Sequence, residues 1–75
     1  MDKAELDRLR QEYKDAVDRW VTAIRQEEAL ATPDYSVHAW DVWENAGFAE
    51  EEAREKAQAA KELYEGGLRE ADYGI

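Results

Sequence analysis

Ala31-Thr32-Pro33-Asp34-Tyr35-Ser36 decides the fold, because it interrupts a chain whose remaining residues are patterned for helix. Pro33 biases Thr32 away from helical geometry, and Asp34 and Ser36 are turn formers and candidate N-caps. The chain is expected to reverse here, with helix on either side.

On the N-terminal side, Leu6, Leu9, Tyr13, Val17, Trp20, Ile24 and Ala31 fall within about 40° of one line at 100° per residue. That spacing predicts an amphipathic helix over about 2–31. Gln11, Asp15 and Thr22 take the opposite face. Glu5 with Arg8, Asp7 with Arg10 and Asp15 with Arg19 stand three or four residues apart, where opposite charges support a helix. At about 1.5 Å per residue such a helix approaches 45 Å, more than a short partner covers.

On the C-terminal side the pattern predicts a shorter helix over about 37–46, with Val37, Trp40 and Trp43 on one side and Val42 and His38 nearly opposite. Apolar groups on two sides call for two neighbours. Asn45-Ala46-Gly47 reads as a stop, with Phe48 supplying the hydrophobic contact of a left-handed cap. A third helix is predicted over about 49–65. Its stripe is Ala49, Ala53, Ala57, Ala60 and Tyr64, and small residues of this kind let a neighbouring helix approach closely. Ala49 is a poor N-cap, so a kinked continuous helix is the alternative. Gly66-Gly67 should weaken or end the third helix, although Leu68, Ala71 and Ile75 continue its stripe and extend it to about 72 if helix resumes.

Composition agrees with an all-α helical hairpin forming a single domain over residues 1–75, and makes its core thin. Of 75 residues, 13 are Ala and only 11 are Leu, Ile or Val. Bulk must come from the eight aromatics, Tyr13, Trp20, Tyr35, Trp40, Trp43, Phe48, Tyr64 and Tyr73, each able to bury roughly 150–250 Å². There is no Cys for a disulfide framework, and His38 alone makes no structural zinc site. Small folds without such staples often oligomerise. The expectation is a dimeric helical bundle, with Trp20, Trp40, Trp43, Tyr64 and Val42 as core or interface candidates.

The net charge of −9 divides as −3 over residues 1–37 and −6 over residues 38–75, with no basic cluster. Phosphate neutralisation needs Lys and Arg in surplus, so direct nucleic-acid binding is not expected, nor is attraction to an anionic membrane. The opening residues are charged and apolar runs are short, so neither a signal peptide nor a transmembrane span is expected. Cytoplasm is the default compartment.

No catalytic, metal or cofactor signature stands out. Glu50-Glu51-Glu52 reads as acids complementing the positive end of the third helix. Glu52 with Glu55, and Glu62 with Glu65, have the spacing of helical Mg²⁺-holding carboxylates, but Glu55 and Glu62 point about 160–180° from the Ala stripe, where a bundle site must point inward. Glu27, about 40° from the centre of the first stripe, is the acid nearest a core. Ser36, the only Ser, reads as a cap without a base. Gly66-Gly67 lacks the strand and Lys of a phosphate loop.

Leu6-x-x-Leu9-Arg10, followed by Tyr13, Val17, Trp20 and Ile24, resembles the first helix of the all-α chorismate mutases over about a quarter of the chain. The resemblance would make Arg10 and Arg25 the carboxylate-binding arginines. The family's later lysine and glutamine positions have no match, and any long amphipathic helix shows the same spacing. The tryptophans carry more information. Trp40 and Trp43 near the turn, with Trp20 and Tyr35, either pack a core, within the chain or across a dimer, or line an aromatic pocket.

The function expected from the sequence is non-enzymatic, either self-association as a homodimer or another protein–protein interaction, with no cofactor. Two alternatives stand beside it. One is an acidic antagonist of a basic, nucleic-acid-binding or toxin partner, and the other a small metal-dependent enzyme.

Overall fold

The computed structural model describes residues 1–71 and contains two helices, α1 (Lys3–Ala29) and α2 (Val37–Glu70), packed against each other as a hairpin. The loop between them is the Pro33 turn. Asp2 caps α1, its carboxylate accepting from the Glu5 amide at 2.7 Å. Ser36 caps α2, its hydroxyl accepting from the Ala39 amide at 3.2 Å. Asp34 in turn accepts from the Ser36 amide at 3.0 Å. The polar residues of the turn therefore satisfy backbone donors that a helix start leaves orphaned. Leu30, rather than Ala31, closes α1.

The expected break at Gly47 is corrected. Residues 37–70 form one helix of 34 residues, not two, and there is no separate third helix starting at Ala49. Glycine costs a helix interior about 1 kcal/mol relative to alanine, which is too little to break a helix held along its length by a partner. Gly47 also has a place in the packing, since a Cβ there would lie 2.9 Å from the Glu27 Oε2. Gly66-Gly67 likewise does not end the helix. Gly67 is buried where a Cβ would lie 3.1 Å from Leu6 Cδ1 and 3.2 Å from Leu9 Cδ1. Tyr73 and Ile75, and the extension to 72, lie outside the described residues.

The seam runs along a seven-residue repeat. On α1, Leu9, Ala16 and Ala23 are buried, with Leu6, Tyr13, Trp20 and Glu27 half-buried between them. On α2, Ala57 and Gly67 are buried, flanked by half-buried Ala46, Glu50, Ala53, Ala60 and Tyr64. Alternating steps of three and four residues are those of helices that wind about each other. The seam is displaced from the expected stripe: Ile24 is exposed and Val17 only half-buried, while Ala16 and Ala23 take the centre. Small side chains on both helices let the backbones approach closely, and larger neighbours are pushed to the flanks.

The result is a rod of 53 × 15 × 13 Å with a radius of gyration of 16.8 Å, against about 11 Å for a globule of this length. No side chain is completely buried among the described residues. The expectation of a dimeric bundle rests partly on a first helix too long for a short partner, and α2 covers that helix within one chain, so its length no longer calls for a second copy. What remains of that argument is the two-sided apolar pattern at the start of α2.

Candidate interaction surface

At the closed end of the hairpin, Leu30, Ala31, Thr32, Pro33, Asp34, Tyr35, Ser36, Ala39, Trp40 and Trp43 enclose an open groove of about 460 Å³. Its walls are fixed by the end of α1, the hydrogen-bonded turn and the first turns of α2. Trp40 and Trp43, one helical turn apart, hold their rings 5.3 Å from each other at 53°, a tilted arrangement favoured by the ring quadrupoles.

The large side chains here are turned to solvent. Tyr35 is 93% exposed, Val37 78%, Phe48 59% and Trp40 56%. These values exclude Tyr35 and Trp40 from a core within the described chain and leave packing across a dimer or an aromatic pocket. Val37, Trp40 and Phe48 lie within about 80° of one another around α2. Among the described residues no helix covers this face.

Charge is concentrated at the same end. Between Gln26 and Ala53 there are eight acids, Glu27, Glu28, Asp34, Asp41, Glu44, Glu50, Glu51 and Glu52, and no Lys or Arg. The other 47 residues carry 11 acids against 10 bases. Dividing the sequence at residue 37 hides this, because the hairpin folds the end of one half beside the start of the other. Grouping residues by distance from the Pro33 turn would have revealed it. The last turn of α1 holds no base and the first turn of α2 no acid. Opposite helix ends meet at the tip, so their dipoles offset and the side chains set the field.

Of the five candidates named from sequence, the structure brings Trp40 and Trp43 together at the groove. Trp20 lies in the seam, its indole N–H donating to Glu50 Oε2 at 3.2 Å. Tyr64 is in the distal half, stacked on Tyr13 with centroids 6.1 Å apart. Val42 is half-buried and lines no part of the groove. Leu30 and Tyr35 complete the groove, with Val37 and Phe48 exposed on the outer face of α2; sequence reading had placed Tyr35 near the tryptophans and Val37 on their side of the helix.

Glu50 is also corrected. With no helix start at Ala49, the run Glu50-Glu51-Glu52 complements no macrodipole. Glu50 turns into the seam with its side chain 16% exposed, while Glu51 and Glu52 face solvent. Glu52 pairs with Lys56 at 3.0 Å and Glu65 with Lys61 at 3.7 Å. Among the described residues no group of three or more His, Cys, Asp or Glu side chains is placed to hold a metal ion. Arg10 and Arg25 pair with their helical neighbours Asp7, at 3.3 Å, and Glu28, at 3.4 Å. Among the described residues no helix is long and apolar enough to cross a membrane. Comparison of the chain with family models, with curated proteins and with solved structures gave no match.

Proposed function

We propose that this chain is a non-enzymatic protein-interaction module that works through the closed end of its hairpin. The observation that supports this is the mismatch between core and surface. Among the described residues the buried apolar side chains are Leu9 and three alanines, whereas Tyr35, Val37, Trp40 and Phe48 stand in water. Contiguous exposed apolar groups mark binding surfaces, and aromatic anchors dominate the energetics of such surfaces. A hairpin of this size also gains stability from whatever covers that face.

Two occupants fit the reading. Self-association as a homodimer would place the Trp40 faces of two copies together. Binding of a basic protein as its acidic antagonist is favoured by the excess of acids over residues 26–53, of which Asp34 lines the groove. Sedimentation equilibrium over a range of protein and salt concentration separates them. A dimer that dissociates in Trp40→Ala supports self-association through the tip. A monomer directs attention to a basic partner. A dimer unchanged by Trp40→Ala, Tyr35→Ala and Phe48→Ala would show that association uses another surface, and the reading would fall.

A further inference from the structure

We infer that the groove at the closed end receives a cationic amphipathic segment of another protein, its apolar residues seated on Trp40 and Trp43 and its Arg or Lys side chains facing the acids of residues 26–53. This rests on the interaction reading above and names the chemistry of the partner.

Three observations converge on that occupant. The groove is open and walled by Leu30, Pro33, Tyr35, Trp40 and Trp43, so it offers apolar contact to a side chain inserted from outside. The two indoles are held at a fixed tilt with Trp40 more than half exposed, which leaves ring face available for a guanidinium or ammonium group. The surround is of one sign. Asp34 lines the groove, and Glu44 is exposed on α2 about 40° around the helix from Trp40, with Asp41 exposed farther round.

Charge also disfavours the second copy. Tip against tip would bring together two acidic ends, in each of which only Glu28, Glu50 and Glu52 of the eight acids stand within 4 Å of a base, and like charges brought together across an interface oppose association. Of the bases outside the tip, Arg8, Arg10 and Lys61 already pair with acids of their own helices. A cationic segment meets both demands at once. The acids steer it at a distance, and the indoles hold it on arrival.

The test uses the full chain and a synthetic amphipathic helix of about four turns, end-blocked, with Leu on one face and Arg on the other. Controls are the same peptide with Glu in place of Arg, and a scrambled Arg/Leu sequence of equal charge. Binding is followed by calorimetry and by tryptophan emission, the peptides containing no tryptophan. The expected result is one Arg/Leu helix per chain. Affinity should fall about tenfold in Trp40→Ala, and also in Asp41→Asn combined with Glu44→Gln. It should fall further as ionic strength rises from about 0.1 to about 1 M, which shortens the Debye length from about 10 to about 3 Å. The Glu/Leu helix should not bind. Circular dichroism establishes that the variants remain folded, and Tyr35→Ala in the turn serves as a second probe of the groove.

Absence of binding overturns the inference. So does equal binding of the scrambled peptide, or binding unchanged in both Trp40→Ala and Tyr35→Ala, because either would mean attraction to charge alone. If the peptide fails while the chain dimerises through Trp40, the interaction reading stands with a second copy as occupant. If neither occurs, both fall.

Discussion

The indole N–H of Trp20 donates to the Glu50 carboxylate at 3.2 Å, and among the described residues this is the only side-chain hydrogen bond that joins α1 to α2. Two side chains 30 residues apart thus fix the register of a seam otherwise built from small apolar groups, which define axial position weakly. Arg54 Nε stands 3.8 Å from the same Glu50 oxygen and adds a charge at its rim. Glu50→Leu leaves the part-buried indole N–H without its acceptor and should cost about 1 kcal/mol. Glu50→Gln keeps an acceptor oxygen and should cost a fraction of that. Urea unfolding of the three proteins measures the difference. Equal losses for Gln and Leu would assign the effect to charge rather than to the hydrogen bond.

The three described glycines that lie within α2, at positions 47, 66 and 67, sit in different surroundings, and alanine at each should report them. At Gly66 a Cβ meets nothing within 4 Å, so Gly66→Ala should stabilise by roughly 0.5–1 kcal/mol through helix propensity alone. At Gly67 the same Cβ would stand 2.9 Å from Met1 Sδ and close to both Leu6 and Leu9. Gly67→Ala should forfeit that gain, because the side chains that pack the end of the seam must move. Thermal unfolding of the pair decides the matter. A Gly67→Ala protein as stable as Gly66→Ala would contradict the close packing of α2 on Leu6 and Leu9.

Gly47 tests the continuity of α2. In a helix its alanine variant gains propensity, and the only nearby group is the far end of the flexible Glu27 side chain, which can swing outward. Gly47→Ala should therefore stabilise by about 0.5 kcal/mol. Were Gly47 instead a left-handed cap, alanine would lose about 1 kcal/mol. Chemical denaturation therefore distinguishes the two geometries by sign.

The hairpin, its turn and the Ser36 cap were legible in sequence because each follows from local chemistry: Pro33 before two side-chain acceptors, flanked by helical periodicity. The continuity of α2 was not, because Asn45-Ala46-Gly47 carries a local stop signal that packing along a 27-residue partner overrides. The phase of α1 was read from its largest residues. Ala16 and Ala23 look neutral in isolation and reach the centre only because α2 presents Ala53, Ala57 and Ala60, a relation between two helices that neither carries alone. The groove was half legible. Trp40, Trp43 and Tyr35 stood out, but their exposure depends on which face of α2 meets α1, and the acidic field around them appears only after the chain is folded back on itself.

Small residues at the seam make a last expectation sharp in sign. Ala57 is 3% exposed, so a larger side chain there presses against α1 and pushes the helices apart. Ala57→Leu should destabilise by about 1–3 kcal/mol, the usual cost of overpacking a close contact. Ala59, two residues along and exposed, should accept Leu with little change. The comparison removes helix propensity from the result, since both positions are interior to α2 and both exchanges are Ala to Leu. If Ala57→Leu instead stabilised the protein, the added bulk would be filling space left between loosely packed helices. The seam would then be one that a further helix normally tightens, and the distal half of the hairpin would join the Trp40 groove as a surface awaiting a partner.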